Sequence, residues 1–253
     1  MSLKEMVRDL IPYRMRKKIF DLVPRERTGI AGVLERIDRN SSMIFDIGAN
    51  VGDVTLYLLR RFPRATVYSF EPCTETFSRL TDNLRMAGYG DRARPFRLGF
   101  YDRDMEGTLN VTSFHGANSM MQISEEYRTM NPHIEAVRVE SIPLVRLDDF
   151  VVRQGLGRID LVKIDVEGVE RQILEGGRKT LASMVDAVIM EMSFVRHSRE
   201  EAEFIKLFTL MHELGFAPAE IFDLEHSASE DTWRLAQFDC LFRRYRPLDR
   251  EEM

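Results

Sequence analysis

MIFDIGANVG, residues 43–52, sets the fold of this chain. Met43, Ile44, Phe45 and Ile47 form a short apolar run broken only by Asp46, as a buried strand does. Gly48 to Gly52 then make a tight turn of small residues. Asp53 to Phe62 has helical spacing: Val54, Leu56, Leu58, Leu59 and Phe62 are apolar, and Arg60 and Arg61 fall in the last turn. Strand, glycine turn and helix open an α/β nucleotide site. Glycine lets the backbone approach a ligand at the carboxyl end of the first strand.

The turn narrows the ligand. A dinucleotide fingerprint aligned on Gly48 needs glycines at 50 and 53, and this chain has Asn50 and Asp53. Asp46 and Asp53 would repel a pyrophosphate, but they suit a cationic ligand such as S-adenosylmethionine, with its amino group and sulfonium. Ala65 to Phe70 reads as a second strand that ends at Glu71-Pro72. An acid about 20 positions past the turn, at a strand end, is placed to accept from a ribose diol. Glu71 also suits a helix-entry carboxylate beside a proline; the turn before it favours the ribose.

Ile159 to Ile164 is a nearly continuous apolar strand, as expected of a central parallel strand covered on both faces. It delivers DVEG, residues 165–168, to the ligand edge of the sheet. If the cationic ligand at the turn is a methyl donor, transfer from its sulfonium is an in-line displacement, and an acceptor hydroxyl must be aimed and must lose its proton. A carboxylate at Asp165 can take that proton, orient the hydroxyl or hold a divalent metal. Glu167 is close enough to share the work. Asp165 is equally suited to capping the helix that follows. Val185 to Met192 is a further strand that ends near the same edge with Glu191, a second catalytic candidate; Asp165, Glu191 and His197 are a possible metal or base cluster.

FDIGANVG (45–52), FEP (70–72) and KIDVEG (163–168) occur in the order found in the FkbM family of methyltransferases, which this chain resembles from about residue 43 to 245. The resemblance implies a class I (Rossmann-like) α/β fold and S-adenosylmethionine-dependent methylation, usually of a hydroxyl oxygen on a sugar, glycan or secondary metabolite. The expected architecture is a seven-stranded, mostly parallel sheet with an antiparallel last strand and helices on both faces. Asp46, Gly48, Asn50 and Gly52 would contact the methionine part of the cofactor and Glu71 its ribose. Asp102, just past a third strand at Arg94–Leu98, would meet the adenine, unless its segment is only a polar turn. Gly116, Asn118 and Ser119 match a small-residue and serine patch of the family, so Ser119 joins the cofactor set. The family also commonly carries an acid at the position of Glu191. A scaffold that binds the cofactor without turnover, or a nucleotide-dependent oxidoreductase, are the alternatives.

The rest of the chain fits around this unit. Residues 41–246 form the expected catalytic domain. The irregular stretch 113–140, inserted before the fourth strand, reads as an active-site lid, with His115 as a candidate base. Thr74 to Gly88 is a helix that Thr74 can cap, and Val137–Val145 alternates like a strand at the sheet edge. Residues 1–40 form a helical extension. Its first 36 residues carry nine basic against five acidic side chains, so it either packs over the domain or rests on a membrane surface. The formal charge of −5 gives no support for a nucleic-acid partner. Two distant cysteines, Cys73 and Cys240, fit a reducing cytoplasm, and no apolar run has the length of a membrane span. The expected partner is a small-molecule or glycan acceptor.

Overall fold

A computed structural model describes residues 29–121, 133–194, 202–229 and 232–245. Most of the N-terminal extension, the middle of the 113–140 stretch, and His197 lie outside the described residues.

Seven strands make the main sheet: β1 (Met43–Ile47), β2 (Thr66–Phe70), β3 (Ala93–Phe96), β7 (Leu161–Ile164), β8 (Ala187–Ser193), β9 (Phe216–Ser229) and β10 (Thr232–Arg244). Their spatial order is β3-β2-β1-β7-β8-β10-β9. The first five pair in parallel, and β10 runs antiparallel to both β8 and β9. This is the seven-stranded α/β architecture that the motifs imply. All four residues of β7 are buried, and the first four of β8, because helices cover both faces. The order of the chain reverses between β1 and β7, and their carboxyl ends open the crevice where such sheets bind ligands.

One face carries α1 (Gly29–Val33), α2 (Asp53–Arg61) and α3 (Thr74–Ala87), packed through Leu56, Leu59, Leu80 and Leu84 onto Ile44, Val67 and Leu161. The other carries α4 (Leu147–Arg153), α5 (Glu170–Gly176), α6 (Arg178–Met184) and α7 (Ala202–Glu213). There Phe70 meets Phe100 at 4.6 Å and Phe150 at 5.1 Å, both edge to face. Gly176 lets α5 reach the backbone of Tyr101: a Cβ there would stand 2.0 Å from that carbonyl oxygen.

Two expectations are corrected. The alternating run Val137–Val145 does not join the edge of the main sheet. It belongs to β6 (Ala136–Arg146), the centre of a separate three-stranded sheet between β4 (Gly99–Tyr101) and β5 (Met105–Thr112). Ile142, Leu144, Leu109 and Val111 cover Cys73 and form a small core of their own. Alternation reveals that one face is buried, not which strand is the partner. Nor does Thr74 cap α3. Cys73 is the N-cap and supplies no side-chain bond. Glu140 of β6 does so instead, accepting from the Thr74 backbone N–H at 2.8 Å and its hydroxyl at 2.5 Å. Glu140→Ala should therefore cost about 1 kcal/mol of stability, the usual loss with a helix cap. An unchanged denaturation midpoint would show that water replaces this carboxylate at no cost.

Candidate functional site

A cavity of about 310 Å³ opens over the carboxyl ends of β1, β2, β7 and β8. Its floor is the turn after β1. Gly48 has φ +78°, and a Cβ on it would lie 1.8 Å from the carbonyl oxygen of Asp165. The two motif loops thus touch backbone to backbone, which requires glycine. Asn50 is also left-handed, at φ +51°. Its backbone N–H donates to Glu71 Oε2 at 3.0 Å, while Cys73 N–H donates to Oε1 at 2.9 Å. Glu71 therefore clamps the turn to the end of β2. Burial pushes its carboxyl up to about 7, against the two backbone donors and the Lys163 ammonium, which favour the charged form.

Beneath the floor lies a buried ion network. The Lys163 ammonium stands 3.1 Å from Asp165 Oδ2 and 3.5 Å from Asp46 Oδ1, and donates to the Gly48 carbonyl at 3.2 Å. Burial alone would weaken its hold on the proton, but Asp165 and Asp46 outweigh that and raise its pKa above the ordinary lysine value. Asp46 also accepts from the Thr55 hydroxyl at 2.6 Å. Beside this network, burial and the like charge of Asp165 push the Asp239 carboxyl up to about 7, opposed by Lys163. Asp239 pairs across the strands with Glu191, and the Gln237 amide donates to Glu191 Oε2 at 3.4 Å.

Gly48, Asn50, Glu71, Asp165, Glu191 and His115 line this one cavity. Asp165, Glu167 and Glu191 bring carboxylate oxygens within 4.8 Å of one another, a donor set that suits a hard divalent cation or an ammonium. The His115 ring stacks on Phe114 at 5.5 Å. Three other candidates sit behind the wall. Asp46 is wholly buried on Lys163 and Thr55, so it supports the turn without facing the cavity. Gly52, at φ +93°, starts α2. Ser119 donates its hydroxyl to the Glu167 carbonyl at 2.6 Å and accepts from the Met121 N–H, so it ties the 113–121 segment to the DVEG loop. Asp102 is not brought to the cavity wall: its carboxylate pairs with the neighbouring Arg103 at 2.7 Å. The surface next to Glu71 is instead apolar, formed by Pro72, Leu98, Ile142 and Leu144.

The sequence motifs assign no role in the site to Lys163, Gln237 or Asp239. Their signal was present: a lysine inside the apolar strand 159–164, and two polar residues at alternate positions in a strand otherwise rich in apolar residues.

A family model described as the methyltransferase FkbM domain matches residues 46–218. A protein named Methyltransferase 1 from Beauveria bassiana is 29% identical over 191 residues, covering 71% of this chain and 74% of that protein. The 2-O-methyltransferase NoeI of Sinorhizobium fredii is 29% identical over 155 residues, covering 59% of this chain and 63% of its own. The 31-O-demethyl-FK506 methyltransferase FkbM of Streptomyces tacrolimicus is 28% identical over 162 residues, covering 54% and 60%. This chain thus spans less than two thirds of the length of the last two. Among the described residues, no helix is long and apolar enough to cross a membrane.

Proposed function

The chain belongs to the FkbM methyltransferase family, and from that premise we propose that it moves a methyl group from S-adenosylmethionine to a hydroxyl oxygen of a sugar, glycan or secondary metabolite. The observation that carries this reading is the meeting of the Gly48 turn, Glu71 and Asp165 in one cavity. Glu71 accepts from the ribose diol. Backbone groups of Gly48 and Asn50 meet the methionine part. The apolar wall of Pro72, Leu98 and Leu144 would hold the adenine, in the place expected for Asp102. Asp165 and Glu191 line the remaining part of the cavity, where a bound cofactor would supply its methyl group. The acceptor oxygen attacks the methyl carbon, a C–O bond forms as the C–S bond breaks, and the sulfur leaves with the bonding pair as S-adenosylhomocysteine. The hydroxyl proton passes to Asp165, with Glu191 and His115 within the same cavity to hold the acceptor.

Titration calorimetry with S-adenosylmethionine and with NADH tests the cofactor. Binding of the first and no response to the second is expected; the reverse would sink the reading. Glu71→Ala should weaken S-adenosylmethionine by about 2 kcal/mol, or roughly 30-fold, through loss of a charge-assisted contact. Unchanged affinity in a folded variant would remove Glu71 from the ribose site.

The Glu71 carboxyl also sets a pH dependence. Its pKa is raised from 4.5 to about 7 in the free protein, so the folded state binds more protons than the unfolded one between those values. Its contribution to stability is present below pH 4.5 and declines as pH rises to about 7. A ribose diol prefers the carboxylate, so affinity should move the other way and fall about fivefold from pH 7 to pH 6. Glu71→Gln should flatten that profile; a wild-type profile that is already flat would place the titrating proton elsewhere.

A further inference from the structure

Glu167 holds a backbone conformation that its side chain disfavours. It sits in the left-handed region at φ +64°, and Gly168 follows at φ +110°. Among the described residues, the other non-glycine residues there are Asn50 and Asp223, whose short polar side chains tolerate it. A glutamate carries no such compensation. A strained residue of this kind persists only where its surroundings hold it, and beside a ligand cavity it points to a role. Glu167 lines the cavity and brings a carboxylate oxygen within 4.8 Å of oxygens of Asp165 and Glu191. Returning its φ to the ordinary negative range would swing the Cα–Cβ bond and carry that carboxylate away.

The kink is held on both sides. After it, the Gly168 N–H donates to Glu170 Oε1 at 3.0 Å, a local bond from the start of α5. Before it, the Glu167 carbonyl accepts from the Ser119 hydroxyl at 2.6 Å, across 48 positions of sequence. Ser119 is 1% exposed, and its backbone is fixed to β5. Its N–H donates to the Asn110 carbonyl at 3.1 Å, and its own carbonyl accepts from the Asn110 N–H at 2.8 Å and the Asn110 amide at 3.2 Å. The Met121 N–H donates to the Ser119 oxygen at 2.9 Å, which leaves the hydroxyl proton for Glu167. Asn118 and Met120, on either side, line the cavity while Ser119 reaches behind its wall. The small sheet therefore presents a fixed donor to the strained peptide of the DVEG loop.

We propose that Ser119 is a positioning residue for methyl transfer: its hydroxyl holds Glu167 left-handed, which sets the Glu167 carboxylate beside Asp165 to orient the acceptor. This rests on the methyltransferase reading above and deepens it. Ser119 thereby serves the acceptor side and leaves the cofactor contacts to the Gly48 turn and Glu71.

The test compares the full chain with Ser119→Ala, Glu167→Asn and the double variant. Calorimetry with S-adenosylmethionine comes first. Ligand-detected NMR on the S-adenosylhomocysteine complex then chooses the acceptor probe among methyl glucoside, methyl glucosaminide and methyl glucuronide. Ser119→Ala should keep S-adenosylmethionine affinity within about threefold and lower kcat by about 10- to 100-fold, as a misplaced group does. In its crystal structure Glu167 should leave the left-handed region. Asparagine tolerates that region and lacks the glutamate reach, so in the Glu167→Asn background Ser119→Ala should lower kcat no further than about threefold. A serine that only fills space would lower kcat by the same factor in both backgrounds, and that result overturns the proposal. So does a Ser119→Ala kcat within threefold of the original, a Glu167 backbone unchanged in the variant, or a tenfold loss of S-adenosylmethionine affinity, which would return Ser119 to the cofactor site. If Ser119→Ala does not fold, Ser119→Cys keeps the volume with a weak donor and should act in the same direction. If no probe is methylated, the Glu167 conformation in the variant crystal decides. Failure of the unaltered chain to bind S-adenosylmethionine would overturn the cofactor reading instead.

Discussion

Lys163→Met is expected to lower the free energy of unfolding by about 3–5 kcal/mol, the usual cost of removing one partner from a buried ion pair. The side chain is almost wholly enclosed and touches two carboxylates and a carbonyl. Methionine fills the space but leaves Asp46, with no exposed surface, facing an apolar group. It also leaves the Gly48 carbonyl without its side-chain donor. The deficit should depend on pH in a defined direction. Without the ammonium, a buried carboxylate prefers its proton, so its folded pKa rises above the unfolded one. That penalty is full at neutral pH and shrinks as pH falls toward the unfolded value near 4. Urea denaturation at pH 7 and pH 5 measures both effects. Adding Asp46→Asn to the variant should recover part of the loss, because the stranded charge is gone. A single variant within about 1 kcal/mol of the original protein at pH 7 would mean that water reaches the network. Lys163 would then be an ordinary strand residue.

The network also accounts for what the sequence made legible. The turn after β1, Glu71 and the DVEG loop could be read because each rests on a local rule: glycine at a left-handed or crowded position, an acid at a strand end, a strand buried on both faces. Those rules fix the main sheet and bring three motifs, with more than 110 residues between the turn and Asp165, to one edge. What failed to show was pairing between distant elements. Val137 to Val145 alternates correctly, yet alternation carries no information on which strand lies alongside, and β6 found β4 and β5. Thr74 has the chemistry of a cap, but Glu140 arrived from another sheet to do that work. Asp102 lies at the expected distance past β3, yet the chain turns there and its charge is spent on Arg103. The family resemblance implies that Asp46, next to the turn, meets the ligand. In a strand, however, the side chain next to a turn points to a face of the sheet, and this one points into the core.

Asp165→Asn should leave S-adenosylmethionine affinity within about threefold and reduce transfer by a factor of about 10²–10⁴, the range attributed to one positioned proton acceptor. The argument rests on where Asp165 sits between two sets of contacts. Its backbone carbonyl packs against Gly48 and its N–H donates to the Ile47 carbonyl at 3.1 Å, so the backbone that shapes the cofactor turn survives the change. Its side chain pairs with Lys163 at 3.1 Å, a contact that an asparagine oxygen can still accept, and also faces Glu167 and Glu191 in the other half of the cavity. Asparagine preserves volume and can still accept a hydrogen bond, but it cannot take a proton. An interaction made only as the hydroxyl gives up its proton lowers kcat and kcat/KM together when lost. Single-turnover transfer from methyl-labelled S-adenosylmethionine to whichever probe binds best reads both constants. Glu191→Gln is the informative partner, because a residue that only holds the acceptor should raise KM and leave kcat largely intact. Transfer by Asp165→Asn within threefold of the original protein would take Asp165 out of the chemical step. The proton would then have to leave through Glu191 or His115, the two other candidates on the same wall.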